Sequence, residues 1–85
     1  MYNDPFINTL PSLDVHGYTS DMVLLPVNEF INENLKLRKE KLVIIHGIGQ
    51  KILSKTIHHH LKNDKRVKNI YFYGSNFGLT IIELN

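Results

Sequence analysis

Leu42-Val43-Ile44-Ile45-His46-Gly47-Ile48-Gly49 is the stretch on which the reading of this chain turns. Four consecutive apolar residues, three of them β-branched, form the run expected of a strand covered on both faces. The run stops at a histidine followed by alternate glycines. From Lys51 to about Asn63 the spacing becomes helical, with Leu53, Ile57 and Leu61 on one face. A strand that turns tightly into a helix is half of a β-α-β unit, in which the crossover brings strands parallel.

The pattern repeats toward the amino end. Pro11-Ser12 opens a short strand, Leu13-Asp14-Val15-His16, closed by Gly17. Thr19 or Ser20 can cap the helix that follows, with Asp21 in its first turn, where a carboxylate suits the positive helix end. That helix runs to about Arg38 and buries Val23, Val27, Phe30 and Ile31. Pro26 falls inside it and predicts a kink. Toward the carboxyl end, strands Val67 to Tyr73 and Leu79 to Leu84 flank Gly74-Ser75-Asn76-Phe77-Gly78, a connection short enough for an antiparallel hairpin. The expected fold is therefore α/β (an α+β sandwich), in the order β-α-β-α-β-β, with a four-stranded mixed sheet and both helices on one face. Residues 1–12 hold Pro5 and Pro11 and read as an extended arm; residues 13–85 form the domain. In the arm, Tyr2, Phe6, Ile7 and Leu10 can pack onto the domain or onto a partner.

Composition narrows the class. The 85 residues make one domain, and 42% hydrophobic content supplies a modest core. The absence of cysteine excludes disulfide frameworks and cysteine-zinc sites. No apolar run approaches the roughly 18–20 residues of a membrane span. The first residues carry an acid and no basic segment leading into a long apolar stretch, which argues against a secretory signal. These features fit a cytoplasmic protein.

Charge is divided along the chain. Residues 1–35 hold five acids and no Lys or Arg, whereas residues 36–68 hold all ten basic residues against Glu40 and Asp64. Such a block fits a polyanion partner, and equally a solvated basic face. Lys51, Lys55 and Lys62 fall within about 40° of one another on the second helix.

Asp14 and His16 are two apart on a strand and share a face at its carboxyl end, where open α/β sheets place ligands. A carboxylate beside an imidazole fixes its tautomer and raises its basicity, which makes a general acid/base. The spacing alone also fits a turn-capping aspartate and an ordinary buried histidine. In His46-Gly47-Ile48-Gly49, the glycines allow a ligand close to the backbone, and the helix start attracts phosphate; a plain strand-to-helix turn has the same pattern. Parallel neighbouring strands would bring His16 and His46 to one sheet edge, a combination suited to phosphodiester cleavage. His58, His59 and His60 fan out by about 100° each and cannot converge on one ion, so no metal site is evident. Of Tyr71, Phe72 and Tyr73, alternation assigns some to the core and leaves another to stack on a base.

The succession Leu13-Asp14-Val15-His16-Gly17, Ile45-His46-Gly47-Ile48-Gly49 and Gly78-Leu79-Thr80-Ile81-Ile82-Glu83-Leu84 resembles the Smr (small MutS-related) domain. That family is marked by an L-D-L-H-G strand end, an H-G-x-G turn and a closing G-A-T strand. The resemblance covers residues 13–84. It implies a fold like the C-terminal domain of bacterial translation initiation factor three, and nucleic-acid binding. In many members it implies endonuclease activity on DNA or RNA, including messenger RNA on stalled ribosomes. By the same resemblance Asp14 and His16 match the pair assigned to cleavage, and His46, Gly47 and Gly49 match the turn. With Lys51, Lys55 and Lys62 these make the expected site: Asp14, His16 and His46 for catalysis, Gly47, Gly49 and the lysines for phosphate. A non-catalytic nucleic-acid or ribosome-binding module is the alternative. Ile48 stands where the family often has Lys, Lys51 where it often has Gly, and Ser54 where Arg is common.

Overall fold

A computed structural model describes residues 7, 9–48, 51–74 and 76–85. The elements run β1 (Ser12–Asp14), α1 (Leu24–Lys36), β2 (Lys41–Ile45), α2 (Lys51–Leu61), β3 (Val67–Tyr73) and β4 (Asn76–Leu84). Among the described residues two helices and a four-stranded mixed sheet, ordered β1-β2-β4-β3, make the expected architecture of the α+β class.

Strand β1 pairs parallel to β2, from Ser12 opposite Val43 to Asp14 opposite Ile45. Strand β4 is antiparallel to both β2 and β3 and lies between them. The second β-α-β unit therefore does not close a parallel pair. Burial explains the insertion: Leu79, Thr80, Ile81, Ile82 and Leu84 of β4 are all buried, whereas Lys68, Asn69 and Tyr71 of β3 are exposed. The strand apolar on both faces takes the centre, and the strand with polar positions takes the edge.

The side chains separate into two layers. Val23 at the cap of α1, Val27 and Ile31 within it, and Leu53, Ile57 and Leu61 of α2 pack with Leu42, Ile44, Ile82 and Leu84, so both helices cover one face. On the other face Val43, Leu79 and Ile81 pack with Ile7 and Leu10. Ile7, 4% exposed, is as buried as a core residue. Tyr2 and Phe6 lie outside the described residues.

Several boundaries move. The first helix begins at Leu24 with Val23 as its cap residue and no side-chain cap, so neither Thr19 nor Ser20 caps it. Thr19 instead begins a turn, its carbonyl accepting from the Met22 N–H at 3.1 Å. Pro26 then sits in the first helical turn, where no backbone N–H has an intrahelical partner to lose, and the expected kink loses its cause. Strand β4 begins three residues before Leu79, which shortens the hairpin connection to Gly74, at φ +55°, and residue 75, the latter outside the described residues. Among the described residues no helix is long and apolar enough to cross a membrane.

Candidate functional site

The carboxyl ends of β1 and β2 carry the candidate residues. Pairing continues one residue past β1, where the Val15 N–H donates to the Ile45 carbonyl at 2.8 Å; the chain then turns at Gly17, φ +86°. Leu13 and Val15 face the helix layer, so alternation turns Asp14 to the opposite face, level with Ile45. His16 lies in the turn rather than on the strand, yet its side chain still meets Asp14. Its Nδ1 is 2.5 Å from Asp14 Oδ1, and its backbone N–H donates to the same oxygen at 3.1 Å. A carboxylate can only accept, so Nδ1 carries the proton and the neutral ring keeps its lone pair on Nε2. The two side chains are 71% and 49% exposed. The hydrogen bond from His16 holds the Asp14 carboxyl below its ordinary value, against a smaller opposing effect of burial.

Past β2, the N–H groups of His46 and Gly47 both donate to the Gly78 carbonyl at 3.1 Å, so β4 anchors the turn. Gly47 has φ +83°, and a β-carbon there would stand 3.7 Å from the β-carbon of His16, an ordinary contact. Glycine is thus required by the backbone conformation and not by lack of room. The same distance places the turn directly beside His16. Gly49 lies outside the described residues.

His46 reaches the same end of the sheet but turns the other way. Leu42, Ile44 and His46 alternate onto the helix side, and the His46 ring is 0% exposed. Its Nε2 lies 2.7 Å from Thr80 Oγ1, its Nδ1 lies 3.2 Å from the Gly47 carbonyl, and its edge meets Phe72 with centroids 6.0 Å apart. His58 Nε2 approaches the same hydroxyl at 2.9 Å, and its ring stacks on Phe72 at 4.7 Å. Burial pushes both imidazoles below the ordinary histidine value; for His58 the neighbouring His46 adds to the effect. His16 and His46 share an end of the sheet, but their rings occupy opposite faces, and only His16 is open to solvent.

Lys51, Lys55 and Lys62 are all exposed. Eleven residues at the helical rise separate the first from the last by about 16 Å, so the row starts beside the turn and leads away from it. The wider basic block does not form one patch. Lys36, Arg38, Lys39 and Lys41 sit where α1 returns to the amino end of β2, opposite the turn. Arg66 is engaged with Asp64 at 2.6 Å and with Asn28 and Asn32, and Lys41 lies 3.9 Å from Glu83. His58 points inward, His59 is exposed, and His60 Nε2 lies 3.2 Å from Asn28 Oδ1. Among the aromatics, Phe72 packs under His58 and Tyr73 against the second core layer, while exposed Tyr71 donates its hydroxyl to Glu83 at 2.7 Å.

Sequence reasoning missed Thr80 and the inward role of His58. One signal was available: Thr80 is a hydroxyl residue in the otherwise apolar run Leu79 to Ile82, and a polar group there needs a buried partner.

The family model of the Smr domain matches residues 13–85. Endonuclease MutS2 of Caldanaerobacter subterraneus subsp. tengcongensis is 40% identical over 78 residues, covering 88% of this chain and 10% of that protein. Endonuclease MutS2 of Staphylococcus saprophyticus is 33% identical over 76 residues, 85% of this chain and again 10% of the relative. The chain thus spans about a tenth of the length of the curated relatives it matches. Among solved structures, the Smr domain of Thermus thermophilus MutS2 superposes with a TM-score of 0.86 at 28% identity, covering 89% of this chain and 99% of that one.

Proposed function

Since the chain belongs to the Smr domain family, we propose that it binds nucleic acid and cleaves a phosphodiester bond at the Asp14–His16 pair. The observation that carries this reading is the 2.5 Å contact between Asp14 and His16 on an exposed strand end. It leaves the proton-accepting Nε2 of His16 on the side of the ring away from Asp14. Endonuclease is also the activity in the names of the related proteins.

In the proposed reaction His16 Nε2 takes a proton from the attacking oxygen, which is a water or, in RNA, a 2′-hydroxyl. The new P–O bond forms as the bond to the leaving oxygen breaks, and the imidazolium returns the proton to that oxygen. Asp14 keeps Nδ1 protonated and stabilises the imidazolium as it forms. The glycine turn and the start of α2, which has no acid in its first turn and begins at Lys51, hold the phosphate. His46 serves this turn from beneath and does not touch the substrate. Lys55 and Lys62 extend a cationic track for the backbone. In the cytoplasm either DNA or RNA, including ribosome-bound RNA, meets these requirements.

The test is cleavage of labelled single- and double-stranded DNA and RNA, with and without chelator, by the wild type and by His16→Ala. Binding without cutting by the wild type, on every substrate, would transfer the case to a binding module.

A further inference from the structure

Two buried imidazoles and one hydroxyl meet beneath the glycine turn, and hydrogen-bond directionality orders their protons. A carbonyl can only accept, so the contact between His46 Nδ1 and the Gly47 oxygen, at 3.2 Å, puts a proton on Nδ1. The ring is buried and held neutral, which leaves a lone pair on Nε2. Thr80 Oγ1, 2.7 Å away, must then donate its hydrogen to His46. That leaves Thr80 as the acceptor for His58, 2.9 Å away, whose Nε2 must carry a proton. The chain of donors runs one way, from His58 through Thr80 and His46 to the Gly47 carbonyl.

Its end point lies in the turn. A trans peptide holds C=O and N–H on opposite sides, so drawing the Gly47 carbonyl toward His46 turns the N–H of Ile48 away from the buried ring. Ile48 itself is exposed, and the Gly47 backbone adjoins His16.

We propose that Thr80 and His58 are positioning residues, which lock His46 in the Nδ1–H tautomer and so set the Gly47–Ile48 peptide with its N–H outward as a phosphate donor. The phosphate part rests on the function proposed above; the relay does not. Stacking on Phe72 keeps the His58 ring in register with the hydroxyl. Across the elements packed on this cluster, the titratable groups facing it among the described residues are the two imidazoles themselves. The strands contribute Thr80 and Phe72, and Lys51, Lys55 and His59 of α2 and Lys62 just past it are exposed. Protonating His46 would make Nε2 a donor and reverse the Thr80 bond. Because burial pushes both imidazoles down, breaking the relay by protonation takes a lower pH than an ordinary histidine would need.

The experiment is side-chain nitrogen NMR of the whole chain, titrated from neutral to acid pH, with oligonucleotide affinity measured on the same samples. The expected result is His46 as the Nδ1–H tautomer and His58 as the Nε2–H tautomer at neutral pH, each taking up its second proton below the pH at which an ordinary histidine does. Thr80→Val keeps the shape and removes the hydroxyl. It should shift the Gly47 and Ile48 amide resonances and weaken a labelled oligonucleotide by about tenfold, roughly one charge-assisted hydrogen bond. Thr80→Ser should restore both. If Thr80→Val does not fold, the wild-type tautomers and their pH dependence still decide. His46 found as Nε2–H, or Thr80→Val indistinguishable from wild type in amide shifts and affinity, would overturn the proposal. Wild type that carries the stated tautomers but binds no oligonucleotide would uphold the relay and defeat the phosphate reading.

Discussion

Replacing His16 by alanine, and Asp14 by asparagine, separates the two roles in the exposed pair. His16 is mostly open to solvent, so its loss should change stability by no more than about 0.5 kcal/mol, the usual range for surface sites. Cleavage should fall by about two to four orders of magnitude, the contribution of a positioned general acid/base. Asp14→Asn is milder for a geometric reason. An amide oxygen can occupy the place of Oδ1 and accept from Nδ1–H, so the tautomer with its lone pair on Nε2 survives. What disappears is the negative charge opposite the imidazolium. A hydrogen bond to a charged group is worth about 1.5–3 kcal/mol against about 1 for a neutral one. With the carboxylate half-exposed, water screens the difference toward about 1 kcal/mol, or roughly fivefold in rate. The assay is a single-turnover cleavage rate beside an equilibrium affinity for wild type and both variants, with thermal melts as a folding control. Affinity should hold nearly constant, since phosphate contact is assigned to the turn and the lysines. Equal rates for wild type and His16→Ala would refute the assignment of proton transfer to this side chain.

Three further outcomes follow from the layers and charges. Replacing Lys51, Lys55 and Lys62 together by alanine should weaken nucleic-acid binding across sequences. It should also flatten the log–log salt dependence by up to about 2–3, the counterions released by three phosphate contacts; an unchanged slope would reduce the row to a solvated face. Ile7→Ala should cost about 2–4 kcal/mol in denaturant melts, because the side chain fills the layer over Val43, Leu79 and Ile81, and a loss below 0.5 kcal/mol would show that the arm does not seal this face. Arg66 holds the Asp64 carboxyl down to about 2, from an ordinary 3.8. The native state therefore gains stability that is fully present above about pH 4 and is lost as the pH falls toward 2. Arg66→Ala should remove most of that acid sensitivity, of order 1–2 kcal/mol, in melts at pH 2 to 5.

The local pattern of this chain was decisive for its elements. Leu42 to Ile45 is apolar without interruption because β2 is covered by helices on one face and by Ile7 and Leu10 on the other. The positions Val23, Val27 and Ile31, and Leu53, Ile57 and Leu61, recur at helical spacing because each helix buries one stripe on the same sheet face. Asp14 and His16 were legible as a pair, since their contact depends on residues two apart at a strand end and on little else. Pro26 misled because proline is costly only in a helix interior, and where a helix starts depends on how the preceding turn packs.

Three-dimensional pairing decided the rest. Sequence order places β3 before β4, but only competition for the two-sided centre of the sheet puts β4 between β2 and β3. That insertion brings Thr80 beneath His46 and Phe72 beneath His58, partners 34 and 14 residues apart in the chain. It also determines which way His46 faces. Alternation states that neighbouring side chains point to opposite faces, but which face is closed depends on where both helices cross the sheet. The basic block, continuous in sequence, is divided for the same reason. A helix carries its two ends to opposite ends of the sheet, so charges adjacent along the chain become distant in space, while His16 and Gly47, thirty-one residues apart, come to lie side by side through the parallel register of β1 and β2.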